Sequence, residues 1–127
     1  MKILGIQIGG KNKIKTATVV FSANISFIIS EEKIFIGRGD GYEETVTKTS
    51  NSLMITPLLR AVSKKHALLT KEKDGTYSIA DQGSSYGTFV KGIKVEPGNK
   101  VNLNNKDQVT LRKLGDSGGV QFQIIYS

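Results

Sequence analysis

The chain has 127 residues, 38% of them hydrophobic, no cysteine, one histidine and a formal net charge of +7. That length suffices for one domain with a buried core, while the lack of cysteine rules out a disulfide framework and leaves His66 alone, without partners for a Cys/His zinc site. The charge favours acidic partners, among them nucleic acid, anionic membrane and phosphorylated protein, without choosing between them.

The segment from Met1 to Ile8 is broken by Gly5 and Gln7 and is too short for a signal-peptide core or a membrane span. An intracellular protein with no membrane partner is expected. Short runs rich in β-branched and aromatic residues then follow one another: Lys15 to Phe21, Ile25 to Ile29 and Lys33 to Ile36. From Gly39 to Pro57 the chain is polar and rich in Thr, Ser and Asn, and reads as a long loop over about 39–59 with a short strand at Leu53 to Ile55. Leu58 to Lys65 is the one helix-compatible stretch, at most two turns long. Further strand-like runs span His66 to Thr70, Thr76 to Ile79, Thr88 to Val90, Val101 to Leu103, Gln108 to Leu111 and Val120 to Tyr126. Asp74-Gly75 between two of them is the clearest hairpin signal.

Many short strands at regular spacing predict an all-β sandwich or barrel. The lack of long helices argues against doubly wound enzymes and helix-turn-helix readers. One domain over 1–127 is expected, with its core over about 15–127. The chain ends within a few residues of its last strand, so it reads as a fragment of a larger protein.

Three segments share an unusual composition for loops: Gly37-Arg38 directly after the strand Ile34 to Ile36, Ser63-Lys64-Lys65-His66 directly before Ala67 to Thr70, and Asp81-Gln82-Gly83-Ser84-Ser85-Tyr86-Gly87-Thr88. In this order and spacing they resemble the forkhead-associated (FHA) domain family, whose motif is Gly-Arg after a strand, then Ser-x-x-His, then Ser-x-Asn-Gly-Thr. The resemblance covers the chain from about Ile25 onward. It implies a two-sheet β-sandwich of about eleven strands whose loops at one end hold the phosphate of a phosphothreonine peptide. Arg38 then supplies a forked, permanently charged donor, Ser63 a short hydroxyl and Lys64 a point charge. Ser85 stands beside the phosphate and Tyr86 beside the peptide. Gly37, His66, Gly87 and Thr88 support the site, with His66 bracing the loops instead of touching phosphate.

Two departures from the motif stand out. Tyr86 replaces the family's Asn, whose amide holds the peptide backbone, and one hydroxyl cannot imitate an amide's paired donor and acceptor. The separation of Gly37-Arg38 from Ser63 is also longer than the family's. These departures admit an alternative, a sandwich that has lost phosphate recognition and binds a partner independently of phosphorylation.

No cofactor, metal or catalytic residue is expected. Ser63, His66 and Asp81 can be written as a triad, but no G-x-S-x-G elbow presents the serine. Nucleic-acid binding is the other rival, through a patch drawn from Arg60, Lys64, Lys65, Lys91, Lys94, Lys100, Lys106, Arg112 and Lys113. Interleaved basic and aromatic runs, which single-strand binders use, are missing. The expected partner is therefore a phosphorylated protein, bound by a monomer. Family members serve signalling, transcription, cell-cycle control and the DNA damage response, and the expected setting is nuclear.

Overall fold

Residues 16–39, 45–56, 62–111 and 120–127 are described by a computed structural model, and within them the chain forms twelve strands and no helix. The strands are β1 (Ala17–Ser22), β2 (Ile25–Ile29), β3 (Lys33–Arg38), β4 (Thr45–Lys48), β5 (Ser52–Thr56) and β6 (Ala67–Lys71), then β7 (Tyr77–Asp81), β8 (Thr88–Val90), β9 (Ile93–Lys94), β10 (Lys100–Leu103), β11 (Gln108–Leu111) and β12 (Val120–Tyr126). They make two six-stranded sheets, ordered β2-β1-β12-β11-β8-β9 and β10-β7-β6-β3-β5-β4. Every pairing is antiparallel except β3 with β5.

Alternation along the strands builds the sandwich. Ile34 and Ile36 of β3, Leu53 of β5, Leu69 of β6 and Ile79 of β7 face inward from one sheet and join one core with Val19, Val109, Leu111, Phe122 and Ile124 of the other. Each such side chain contributes about 1.5–3 kcal/mol by leaving water. Tyr126 closes the end of the core near β12's last residue, donating its hydroxyl to the Leu103 carbonyl at 2.7 Å and accepting from the Tyr77 N–H at 2.9 Å. Burial pushes the Tyr77 hydroxyl up to about 12, so it stays protonated and donates to the Glu31 carbonyl at 2.7 Å.

The expected all-β sandwich is the observed fold, but the segment expected as a long loop is different. Residues 45–56 form a hairpin, β4 with β5, and β5 runs parallel to β3 with Arg38 opposite Ile55. Composition hid this because β4 is an edge strand, Thr-Val-Thr-Lys, with a single apolar residue, and polar edges are how sheets avoid further pairing. Strand β9 likewise carries no sequence signal, since it is two residues long and entered by Lys91 and Gly92, both at positive φ. Gly37 and Arg38 do not follow β3 but are its last two residues. Of the helix-compatible stretch, 58–61 lie outside the described residues, and 62–65 are not helical. The Asp74-Gly75 turn joins β6 to β7 as expected, with Gly75 at φ +91 and the Asp74 carboxylate accepting from the Thr76 N–H at 3.0 Å.

Register gathers the motif segments at one end. Ala67 opposes both Ile36 and Asp81, so the end of β3, the start of β6 and the end of β7 lie side by side, and the 82–87 loop leaves from there to β8.

Candidate functional site

The segment preceding β6 is fastened to the end of β3 at two points. Arg38 donates its backbone N–H to the Ser63 carbonyl at 3.1 Å, and His66 donates its own to the Ile36 carbonyl at 2.9 Å. Gly37, between these bonds, is where the two backbones touch: a Cβ built there would stand 2.0 Å from the Lys64 carbonyl oxygen. The residue type is therefore set by a close approach of main chains.

His66 is fully buried and ties two loops together. The Ser63 N–H donates to its Nδ1 at 3.0 Å, so that nitrogen carries no proton. The proton is on Nε2, which donates to the Gly87 carbonyl at 2.8 Å. Burial pushes the imidazole below its ordinary value, and the Gly87 carbonyl and the Asp81 charge only partly oppose this. Since the unfolded chain takes up the proton near pH 6.5 and the native chain only at lower pH, this contribution to stability is complete above that value and is lost as pH falls through the native one. Denaturant titrations between pH 7.5 and 5 are expected to show stability declining with acidity, and His66→Gln to flatten that decline. An unchanged slope in the variant would remove His66 as its source.

The 82–87 loop is organised from below by Asp81, which is 4% exposed. Its carboxylate accepts from the N–H groups of Gly83 and Ser84, both at 3.0 Å, from the Ser84 hydroxyl at 2.5 Å and from the Thr88 hydroxyl at 2.7 Å. Burial pushes this carboxyl up, but those hydroxyl and backbone donors outweigh it and hold the group below the usual carboxylate range. Ser84 passes the order on by accepting from the Gly87 N–H at 3.0 Å. Gly87, at φ +94, then turns the chain into β8.

A direct bond joins this loop to the first: the Ser85 N–H donates to the Ser63 hydroxyl oxygen at 2.9 Å. Thus Arg38, Ser63, Lys64, Ser85 and Tyr86 come from three separate chain segments linked by hydrogen bonds at one end of the sandwich. Ser63 spends an acceptor lone pair on Ser85, which leaves its hydroxyl proton to be donated. The side-chain donors of Arg38, Ser63, Lys64 and Ser85 have no protein acceptor among the described residues. Tyr86 is half-buried and lines a cleft of about 90 Å³ with Phe89, Lys94 and Pro97. Of the supporting residues, Gly37, His66, Gly87 and Thr88 all make the close contacts described above.

Asp81 and Ser84 organise the loop, a role not among those expected of them. Their signal was present: an Asp followed by Gly and Ser at the second and third positions is the pattern of a side chain that caps its own turn.

Of the nine basic residues in the nucleic-acid reading, two are engaged in ion pairs and three lie outside the described residues. Lys100 pairs with Glu72 at 3.3 Å and Lys91 with Asp107 at 3.8 Å, while Arg60, Arg112 and Lys113 lie outside the described residues. Among the described residues there is no cluster of metal-ligating side chains and no helix long and apolar enough to cross a membrane.

Comparison with known proteins adds three findings. The family model described as FHA domain matches residues 34–112, well over half of the chain. A search of curated proteins gives no significant match. Among solved structures, the N-terminal FHA domain of Saccharomyces cerevisiae Rad53p in complex with a phosphothreonine peptide is similar at a TM-score of 0.66 and 19% identity, over 88% of this chain and 94% of that one. The FHA domain of an Arabidopsis thaliana hypothetical protein gives a TM-score of 0.62 and 21% identity, over 90% and 86%. Full-length yeast Pml1p gives 0.67 and 16%, over 88% and 82%.

Proposed function

Because the chain belongs to the FHA domain family, whose members are interaction modules that bind phosphothreonine peptides, we propose that it binds a phosphothreonine-containing segment of a partner protein and joins the two only when that threonine is phosphorylated. The observation that carries this reading is the cluster of side-chain donors on Arg38, Ser63, Lys64 and Ser85, which have no protein acceptor among the described residues and are gathered by the Ser85-to-Ser63 and Arg38-to-Ser63 bonds. A dianionic phosphate with three acceptor oxygens matches such a set. Arg38 supplies the paired donors, Ser63 and Ser85 the short hydroxyls, and Lys64 a screened charge at the rim. Three or four charge-assisted bonds, each worth about 1.5–3 kcal/mol, offset the cost of association to leave affinity near micromolar. That strength suits reversible signalling. Tyr86 takes the place of the peptide-holding amide and offers an aromatic wall to a peptide side chain. A nuclear setting goes with this reading.

The test is fluorescence anisotropy with a phosphothreonine peptide library, its dephosphorylated form, and the wild type beside Arg38→Ala and Arg38→Lys. Wild type is expected to lose binding on dephosphorylation. Arg38→Ala is expected to weaken binding about 50-fold or more, and Arg38→Lys, which keeps the charge but not the fork, about tenfold. Equal retention of the phosphorylated library by wild type and Arg38→Ala sinks the proposal.

A further inference from the structure

Beside the phosphate loops, on the outer face of the second sheet, lies a cleft of about 300 Å³. Its position follows from strand alternation. Ile34 and Ile36 of β3 face the core, so Phe35 faces outward, and on β5 Met54 does the same between buried Leu53 and Ile55. Phe35 remains 47% exposed, one of only three large hydrophobic side chains so exposed among the described residues. Gly37 contributes no side chain to this face, and the Lys64 main chain lies over it, so the cleft is walled by Phe35 and Met54 on one side and by Lys64, Lys65 and Gln82 on the other. Both lysines are exposed, and neither has a carboxylate within ion-pair distance among the described residues.

We propose that this cleft is a second, selectivity-determining subsite that takes an apolar side chain next to a carboxylate, from the same partner whose phosphothreonine is bound at Arg38 and Ser63. The inference rests on the phosphothreonine reading for the identity of the partner. It rests on the cleft itself for the chemistry. An apolar wall beside two exposed lysines without an ion-pair partner among the described residues complements a segment that is apolar on one side and acidic on the other. Lys64 belongs to both places, following Ser63 in the donor cluster and lining the cleft, so the two sites adjoin. Burial of a peptide side chain against Phe35 and Met54 adds affinity that the phosphate does not supply. It therefore discriminates among phosphothreonine sites that Arg38 and Ser63 cannot tell apart.

The experiment measures affinity for two phosphothreonine peptides. One has flanks of glycine and alanine only. The other is selected by wild type from a library degenerate at all flanking positions. Wild type is expected to select an apolar residue adjoining Asp or Glu and to prefer that peptide over the minimal one. Phe35→Ser and, independently, Met54→Ser are expected to lower that preference about tenfold while leaving the minimal peptide's affinity unchanged. Lys65→Glu is expected to lower the preference through the acidic position alone. Selection of no apolar and acidic pair by wild type, or an unchanged preference in both Phe35→Ser and Met54→Ser, overturns the subsite. Self-association of the free protein that Phe35→Ser abolishes assigns the cleft to a second copy and also overturns it. If Arg38→Ala leaves both peptides bound, the phosphothreonine reading fails on its own. The subsite is then decided by the unphosphorylated selected peptide: loss of its binding in Phe35→Ser supports the cleft, and retention overturns it.

Discussion

Asp81→Ala is expected to remove about 3 kcal/mol of stability and to loosen the 82–87 loop. The reason is the number of donors that end on one carboxylate. Two N–H groups and two hydroxyls converge on it at 2.5–3.0 Å, and Thr88, one of the hydroxyl donors, is fully buried. Alanine leaves all four without their acceptor in a place water enters poorly. Thr88→Ala removes a single donor and is expected to cost about 1 kcal/mol, whereas Ser84→Ala also takes the acceptor from the Gly87 N–H and is expected to cost about 2 kcal/mol. Urea denaturation of the three variants checks the ranking, and an Asp81→Ala loss no greater than Ser84→Ala would show that the loop is held elsewhere. The same carboxyl contributes to the acid sensitivity of the domain. Its native value lies below the unfolded one, so the unfolded chain binds more protons in that window. Its stabilisation is complete above the ordinary carboxylate value and is lost as pH falls through the native one. Asp81→Asn is expected to shrink this acid-dependent component.

The parts of this domain that sequence made legible are those where one residue type has one physical use. Apolar and polar residues alternate cleanly along β11 and the first five residues of β12, and the Asp74-Gly75 turn carries its own chemistry. The three loop segments stood out because Gly-Arg, Ser-x-x-His and a serine-glycine loop are improbable together. What stayed hidden depended on neighbours distant in the chain. The strand character of β4 comes from pairing with β5, and β5 in turn pairs with β3 across a crossover that no local pattern encodes. Lys91 at φ 51 gives no turn signal of its own. His66 shows the intermediate case: its motif marks it as a brace, yet only the bonds to Ser63 and Gly87 reveal which nitrogen bears the proton.

Gly37→Ala carries the second large expectation, and it separates close approach from backbone strain. Gly37 lies within β3 and is not among the positive-φ glycines, so alanine suits its backbone conformation. The obstacle is the Lys64 carbonyl, 2.0 Å from the position of the new methyl, with the Lys64 carbonyl carbon at 3.0 Å. Neither is the movable end of a side chain. Relief requires the 63–66 segment to lift from β3, which breaks the Arg38-to-Ser63 and His66-to-Ile36 backbone bonds and shifts the His66 ring away from Gly87. A loss of about 3 kcal/mol or more is expected from this overpacking, together with broad NMR shift changes over 36–39, 63–66 and 85–87. Gly83→Ala supplies the contrast. Nothing lies within 4 Å of its added methyl, but its φ of +82 is unfavourable for alanine, so strain alone costs about 1 kcal/mol there. Phosphopeptide affinity should divide the two further: Gly37→Ala displaces Ser63 and its bond to Ser85, whereas Gly83→Ala leaves the cluster of donors in place. If Gly37→Ala proves no more damaging than Gly83→Ala in both stability and affinity, the contact between β3 and Lys64 is not what positions the site.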